Sequence, residues 1–154
     1  MKSEVDKLYR LIVAVRLAFN RLKSIAEELH RDLGITVAMR GILEALSDDG
    51  AQTVPAIARK KGVSRQHIQV NVDALLAAGL VELQDNATHR RSPLVLLTAK
   101  GRKTFLEVRR REAGILADLA GGLGARALED AARVLEALNA RLTQREEKDD
   151  EDDE

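Results

Sequence analysis

Apolar positions in the first thirty residues recur at the spacing of an α-helix. They lie alternately three and four residues apart, which predicts one amphipathic helix over residues 4–30. A helix this long exposes more apolar surface than one small neighbour can cover, so we expect it to pack against several elements or a second chain. Its apolar stripe consists of Val5, Leu8, Ile12, Val15, Phe19, Leu22, Ala26 and Leu29.

Hydroxyl residues and glycines divide the following stretch into shorter helices. Thr36, Thr53 and Ser64 each precede a helical apolar pattern, and Gly62 and Gly79 follow two of these patterns. Since Ser and Thr cap helix N-termini and Gly ends helices, we predict helices over 37–47, 54–61 and 65–78, with a turn at 48–50.

Alternating apolar and polar positions then indicate two strands, 80–84 and 94–97, joined by the polar loop 85–92. Helical patterns return over 99–120 and 125–145, separated by a glycine-rich break at 121–124. The predicted fold class is therefore mainly α with a small two-stranded β hairpin.

Composition excludes several classes of protein. The 154 residues are enough for one domain with a hydrophobic core. Without cysteine there can be no disulfide, thiolate catalysis or cysteine-ligated metal, and only three aromatic residues argue against binding single strands by base stacking. No apolar run reaches the ~18–20 residues of a membrane span, and the charged start lacks a signal-peptide core, so we predict a cytoplasmic protein without a membrane partner.

Histidine placement gives no sign of catalysis. The three histidines share no ligand-like spacing, so we predict no metal, no cofactor and no enzymatic activity. We interpret His30 as part of a solvated helix end, with a ligand site formed together with Glu27 and Arg31 as the alternative.

Charge is unevenly distributed along a chain whose formal net charge is zero. Residues 53–104 hold nine basic and three acidic side chains, a net charge of +6, whereas 146–154 hold eight acidic and one basic. We predict a folded domain over 1–145 and a disordered acidic tail over 146–154. A basic segment is typical of a polyanion binder. The tail either keeps the chain solvated or docks transiently on the basic segment and competes there with non-specific binding of a polyanion.

Two short helices joined by a glycine turn, over residues 53–79, form the pattern of a helix-turn-helix. The second helix of such a motif can enter the DNA major groove, and its N-terminal residues meet the base edges. Gln, Arg and Ser side chains suit hydrogen bonding to bases. The alternative is a helical hairpin that binds nothing. The candidate base-contacting residues are Ser64, Arg65, Gln66, His67 and Gln69.

The hairpin that follows the helix-turn-helix predicts a winged helix. Its loop carries Arg90 and Arg91, and an arginine at a hairpin tip can enter the narrow minor groove, where the negative potential is enhanced. We therefore predict that both arginines contact DNA; the alternative is a solvated surface pair.

The segments VSRQHIQVNVDALLAAGLVE and DNATHRRSPLVLLTAKG resemble the MarR (multiple antibiotic resistance regulator) family of winged helix-turn-helix transcription regulators. The likeness extends over residues 5–145. It implies a winged domain at 36–98 and dimerisation helices at 5–30 and 99–145. It also implies a homodimeric repressor on a pseudo-palindromic double-stranded operator, relieved by a small-molecule effector. Phe19, Met39 and Arg40 are candidate lining residues of the effector pocket.

Two positions depart from the family pattern. His89 stands where the wing usually has an acidic residue before its arginines, which puts the usual acid–arginine clamp in question. Asn71 lies on a helix face that is usually apolar; we favour a structural role for its amide over a DNA contact. A winged-helix protein-interaction module that does not read DNA is the alternative function, suggested by the acidic tail and by Val70 and Ala74, where the family often has basic residues.

Overall fold

The first helix, α1, spans Glu4–Leu29 and confirms the long helix predicted from the apolar stripe. It is described here from a computed structural model that covers the backbone of residues 3–152 and the side chains of residues 3–148. Ser3 begins α1 with a capping box, in which its hydroxyl accepts from the amide of Asp6 and the Asp6 carboxylate accepts from the amide of Ser3. A single 3-10 turn, Arg31–Leu33, follows α1.

Three helices form the middle of the molecule, and all three predicted caps are confirmed. The helix α2 spans Val37–Asp49, α3 spans Val54–Lys61 and α4 spans Arg65–Ala77. The hydroxyls of Thr36, Thr53 and Ser64 accept hydrogen bonds from amides of the first turns. The predicted turn at 48–50 is wrong for its first two residues, because α2 continues to Asp49 and ends only at Gly50.

The sheet has three antiparallel strands in the order β1-β3-β2, where two were predicted. The two predicted strands are present as β2, Val81–Gln84, and β3, Leu94–Leu97. The additional strand β1, Gln52–Thr53, pairs with the other edge of β3 through the register Gln52↔Val95 and Thr53↔Leu94. Two residues are too few to show an alternating pattern, which is why the sequence did not reveal β1.

The core lies between α2, α3, α4, the sheet and the first half of α5, which spans Ala99–Ala120. Apolar residues at helical spacing provide it, and the side chains buried most completely are Ile42, Leu43, Ile57, Val72, Leu75, Val95 and Val108. This packing fixes α4 against α2 and α3 and leaves its opposite side open to solvent.

The last helix, α6, spans Ala125–Asp152 and is longer than predicted. The disordered tail predicted for 146–154 is therefore wrong for residues 146–152, and residues 153–154 lie outside the described residues. No glycine or proline interrupts α6, so each added residue extends the helix by one more backbone hydrogen bond. The chain divides after Glu112 into two compact units, and the second contains the end of α5 together with α6. Within the described residues, no helix is long and apolar enough to cross a membrane.

Candidate nucleic-acid interface

The N-terminal end of α4 presents polar side chains to solvent. Ser64 is the N-cap, and its hydroxyl accepts from the amide of His67 at 3.1 Å. Arg65, Gln66 and Gln69 are exposed, as is His67 itself. Because a helix turns by 100° per residue, the burial of Ile68, Val72 and Leu75 on one side turns Gln66, His67 and Gln69 away from the core, and Arg65 is exposed in the first turn.

Two amides on α4 already have partners within the helix. Gln69 donates from Nε2 to the carboxylate of Asp73 at 2.8 Å, which leaves its Oε1 free as an acceptor. Asn71 donates from Nδ2 to the carbonyl oxygen of His67 at 2.8 Å and is only partly exposed. The contact to the backbone agrees with the structural role that we favoured for Asn71.

Short-range hydrogen bonds shape the wing loop. Asn86 donates from Nδ2 to the carbonyl oxygen of Ser92 at 3.0 Å, and its Oδ1 accepts from the amide of Thr88 at 3.2 Å. The amide of Ser92 donates to the carbonyl oxygen of His89 at 3.0 Å, which closes a turn around the two arginines. His89 and both arginines are exposed.

A cleft brings α4 and the wing together at one surface. Its volume is 310 Å³, and Arg91 lines it together with Arg65, Gln66 and Gln69 of α4. The pairing of Thr53 with Leu94 explains this proximity, because it holds the base of the wing beside the start of α3. The remaining lining residues are Val54, Pro55, Ser92 and Pro93. Four of the residues predicted to contact DNA therefore share one concave site, although the sequence separates Arg91 from α4.

The arginines at this surface form no ion pair among the side chains that the structure describes. Arg65, Arg90 and Arg91 have no carboxylate within salt-bridge distance there. Other cations of the basic segment are engaged: Lys60 pairs with Asp49, and Lys61 lies 3.6 Å from Glu44. Position 89 carries histidine where the family usually has an acid, and neither neighbouring wing arginine pairs with a carboxylate among the described side chains. The charge of both arginines therefore remains available to a polyanion.

A partly buried ionic cluster joins the end of α1 to α2 and α5. The side chain of His30 is 1% exposed, and its Nε2 donates to Oε1 of Glu112 at 3.2 Å. Arg40 forms two hydrogen bonds with the same carboxylate, at 2.8 and 2.9 Å, and a third with Glu44. The interpretation of His30 as part of a solvated helix end is therefore wrong. Hydrogen bonds from Arg40, more than those from His30, hold the pKa of Glu112 below its usual value despite partial burial.

The three candidate pocket residues occupy different environments. Met39 is buried in the core, Arg40 belongs to the ionic cluster, and the ring of Phe19 on α1 is 58% exposed. Glu112 was missed in the sequence because it lies 72 residues from Arg40. Among the side chains of residues 3–148, no group of three or more histidine and acidic side chains could hold a metal ion.

Comparison with known proteins identifies the family. A MarR family sequence model matches residues 33–92. An uncharacterized protein of Mycobacterium tuberculosis is 34% identical over 139 residues, covering 88% of this chain and 96% of the relative.

Solved structures share the fold over nearly the whole chain. The crystal structure of MarR family transcription regulator SP03579 is 28% identical with a TM-score of 0.77, covering 94% of this chain and 95% of that one. A mutant of MarR from E. coli, solved in complex with operator DNA, is 19% identical with a TM-score of 0.75, covering 89% and 99%. From the family match, the winged helix-turn-helix and the shared fold, this chain belongs to the MarR family of transcription regulators.

Proposed function

We propose that this protein acts as a homodimer on a pseudo-palindromic operator in double-stranded DNA and represses transcription there. The cleft is the main support for this proposal, because Arg65, Gln66 and Gln69 of α4 line it together with Arg91 of the wing. In this arrangement α4 enters the major groove while the wing arginines follow the adjacent minor groove.

Each side chain of the interface suits a particular contact. Gln66 can pair with adenine through its amide oxygen, which accepts, and its amide nitrogen, which donates, and Arg65 can donate two hydrogen bonds to guanine. The Ser64 hydroxyl accepts from the amide of His67, so its own hydrogen remains available to a phosphate oxygen. His67 lies beside it on the same turn, and Arg90 and Arg91 supply charge without competing carboxylates among the described side chains.

The apolar surface of α1 supports the dimer. None of its residues is buried within this chain, although the helix carries the apolar stripe along its length. A second copy would cover that surface, and two-fold symmetry would then place half-sites about 10 base pairs apart.

The repressor role and relief by a small-molecule effector rest on family membership. The bidentate contact of Arg40 with Glu112 limits its use as an anion-binding residue, since an incoming carboxylate must first displace Glu112. Phe19, Met39 and Arg40 stay our candidates for contact with an effector.

An anisotropy titration tests DNA binding and its electrostatic origin. A labelled duplex from upstream of the protein's own gene is titrated with the protein at several salt concentrations, with a scrambled duplex of equal length as the control. We expect tighter binding of the upstream duplex and a steep loss of affinity as salt rises, because each phosphate contact releases counterions. Equal binding of both duplexes would contradict operator recognition. Failure to bind either duplex would favour the protein-interaction module.

A further inference from the structure

The outward side of α4 carries one large apolar side chain among polar ones. Val70 is 61% exposed, whereas Ile68 and Val72 on the other side of the helix are buried. Gln66 precedes Val70 by one turn, and Asp73 follows it on the same side. Valine is a modest helix former, and exposure of its methyl groups to water is unfavourable. Val70 therefore takes no part in the core, and its side chain is available to a partner on the outward side of α4.

The position of Val70 on α4 determines which part of the DNA its side chain would contact. Four residues of α-helix rise by about 6 Å, and successive base pairs are stacked about 3.4 Å apart. Val70 would therefore lie within about two base pairs of the base that Gln66 contacts. The base edges in the major groove present hydrogen-bonding groups and one apolar group, the C5-methyl of thymine.

We infer that Val70 contacts the C5-methyl group of one thymine in each half-site, an assignment that rests on the proposed DNA-binding function. A basic side chain here would contact phosphate whatever the sequence, whereas two branched methyl groups distinguish thymine from cytosine. The contact moves one thymine methyl group out of water, which corresponds to about a fourfold gain in affinity per half-site.

Replacement of single thymines by deoxyuridine tests the contact, because the change removes only the C5-methyl group. Symmetric pairs of thymines in the bound duplex are replaced one pair at a time, and affinity is measured by anisotropy at fixed salt. We expect one pair to weaken binding by about fifteenfold, a fourfold effect in each half-site. That pair should lie within two base pairs of the position at which Gln66→Ala abolishes base preference.

Val70→Ala provides the second arm of a double-mutant cycle. Alanine favours the helix, so the variant should fold at least as stably as the native chain, which circular dichroism checks. We expect it to lose affinity for the thymine duplex and to show no further loss on the deoxyuridine duplex. Val63→Ala is the matched control, since this valine is 41% exposed but precedes α4 in the turn after α3. That variant should keep the full sensitivity to deoxyuridine.

The outcomes distinguish a failure of the thymine contact from a failure of the proposed DNA-binding function. Native protein that binds no duplex would overturn both. Operator binding in which Val70→Ala keeps the native ratio between the thymine and deoxyuridine duplexes would overturn only the thymine contact. The same holds if no thymine pair near the Gln66 position is sensitive to loss of the methyl group.

Discussion

Arg91 contributes one positive charge to the interface. It lines the cleft without a carboxylate partner among the described side chains. We expect Arg91→Ala to weaken duplex binding and to lower the slope of log affinity against log salt by about 1, because one phosphate contact is lost. Anisotropy titrations at four or more salt concentrations measure the slope.

Arg109→Ala is the control for this prediction, because it removes the same charge from an exposed position on α5. It should leave the slope unchanged. Equal slopes for Arg91→Ala and the native protein would show that the wing arginine does not contact phosphate.

Glu112 makes the stability of the fold depend on pH. Its pKa is lowered chiefly by the hydrogen bonds from Arg40, so its contribution is fully present above the ordinary value of 4.5 and is lost as the pH falls through the lowered pKa. We expect Glu112→Gln to reduce the free energy of unfolding by about 2 kcal/mol at pH 7 and by progressively less below pH 4.5. Urea unfolding at several pH values measures the difference.

Glu82→Gln, at an exposed position in β2, is the control and should change stability little at any pH. A loss for Glu112→Gln that stays constant down to acidic pH would contradict the role of the carboxylate charge.

At the scale of elements, the start of α5 depends on a close backbone approach. A Cβ atom at Gly101 would lie 1.9 Å from the carbonyl oxygen of Leu80, and the amide of Gly101 donates to the hydroxyl of Thr98 at 3.0 Å. We expect Gly101→Ala to lower the free energy of unfolding by about 3 kcal/mol, because the start of α5 must shift away from the backbone of Leu80. Thermal or urea unfolding measures the loss.

Gly41→Ala is the matched control within α2. A Cβ atom there would meet only the flexible end of Lys61, at 3.8 Å or more, so this substitution should be neutral or stabilising by up to about 1 kcal/mol. Similar stabilities for both variants would show that the approach to Leu80 does not constrain residue 101.

Local signals in the sequence predict most elements of this fold. Thr36, Thr53 and Ser64 could be read as caps because each hydroxyl bonds to an amide three residues ahead. Features that depend on partners distant along the chain could not be predicted from the sequence. The strand β1 exists only through its pairing with β3, and the burial of His30 depends on Glu112, 82 residues away. Likewise, the candidate residues of α4 and the wing could be predicted from the sequence, but their position around one cleft could not.

At the scale of the whole molecule, we expect association through α1. Phe19 lies on the apolar stripe and is 58% exposed in the single chain. A charge in a buried dimer interface is costly, so Phe19→Glu should shift the protein toward a monomer. It should also weaken operator binding, because the two half-sites would no longer be linked. Analytical ultracentrifugation gives the mass.

Ser24→Glu serves as the control, since it adds the same charge to an exposed position on a different face of α1. It should leave the dimer intact. A native protein that sediments as a monomer at micromolar concentration would contradict the dimer, whatever the variants do.

The exposed arginines of the cleft and the acidic end of the chain also govern how the purified protein behaves on charged resins. A formal net charge of zero at pH 7 would ordinarily mean weak retention by any ion exchanger. Here the two signs belong to different segments, so the protein should be retained by cation and anion exchangers alike at low salt. Removal of residues 146–154 leaves a formal charge of +7. It should abolish retention by the anion exchanger and preserve retention by the cation exchanger. Two columns would thus reveal the separation of charge before any operator sequence is known.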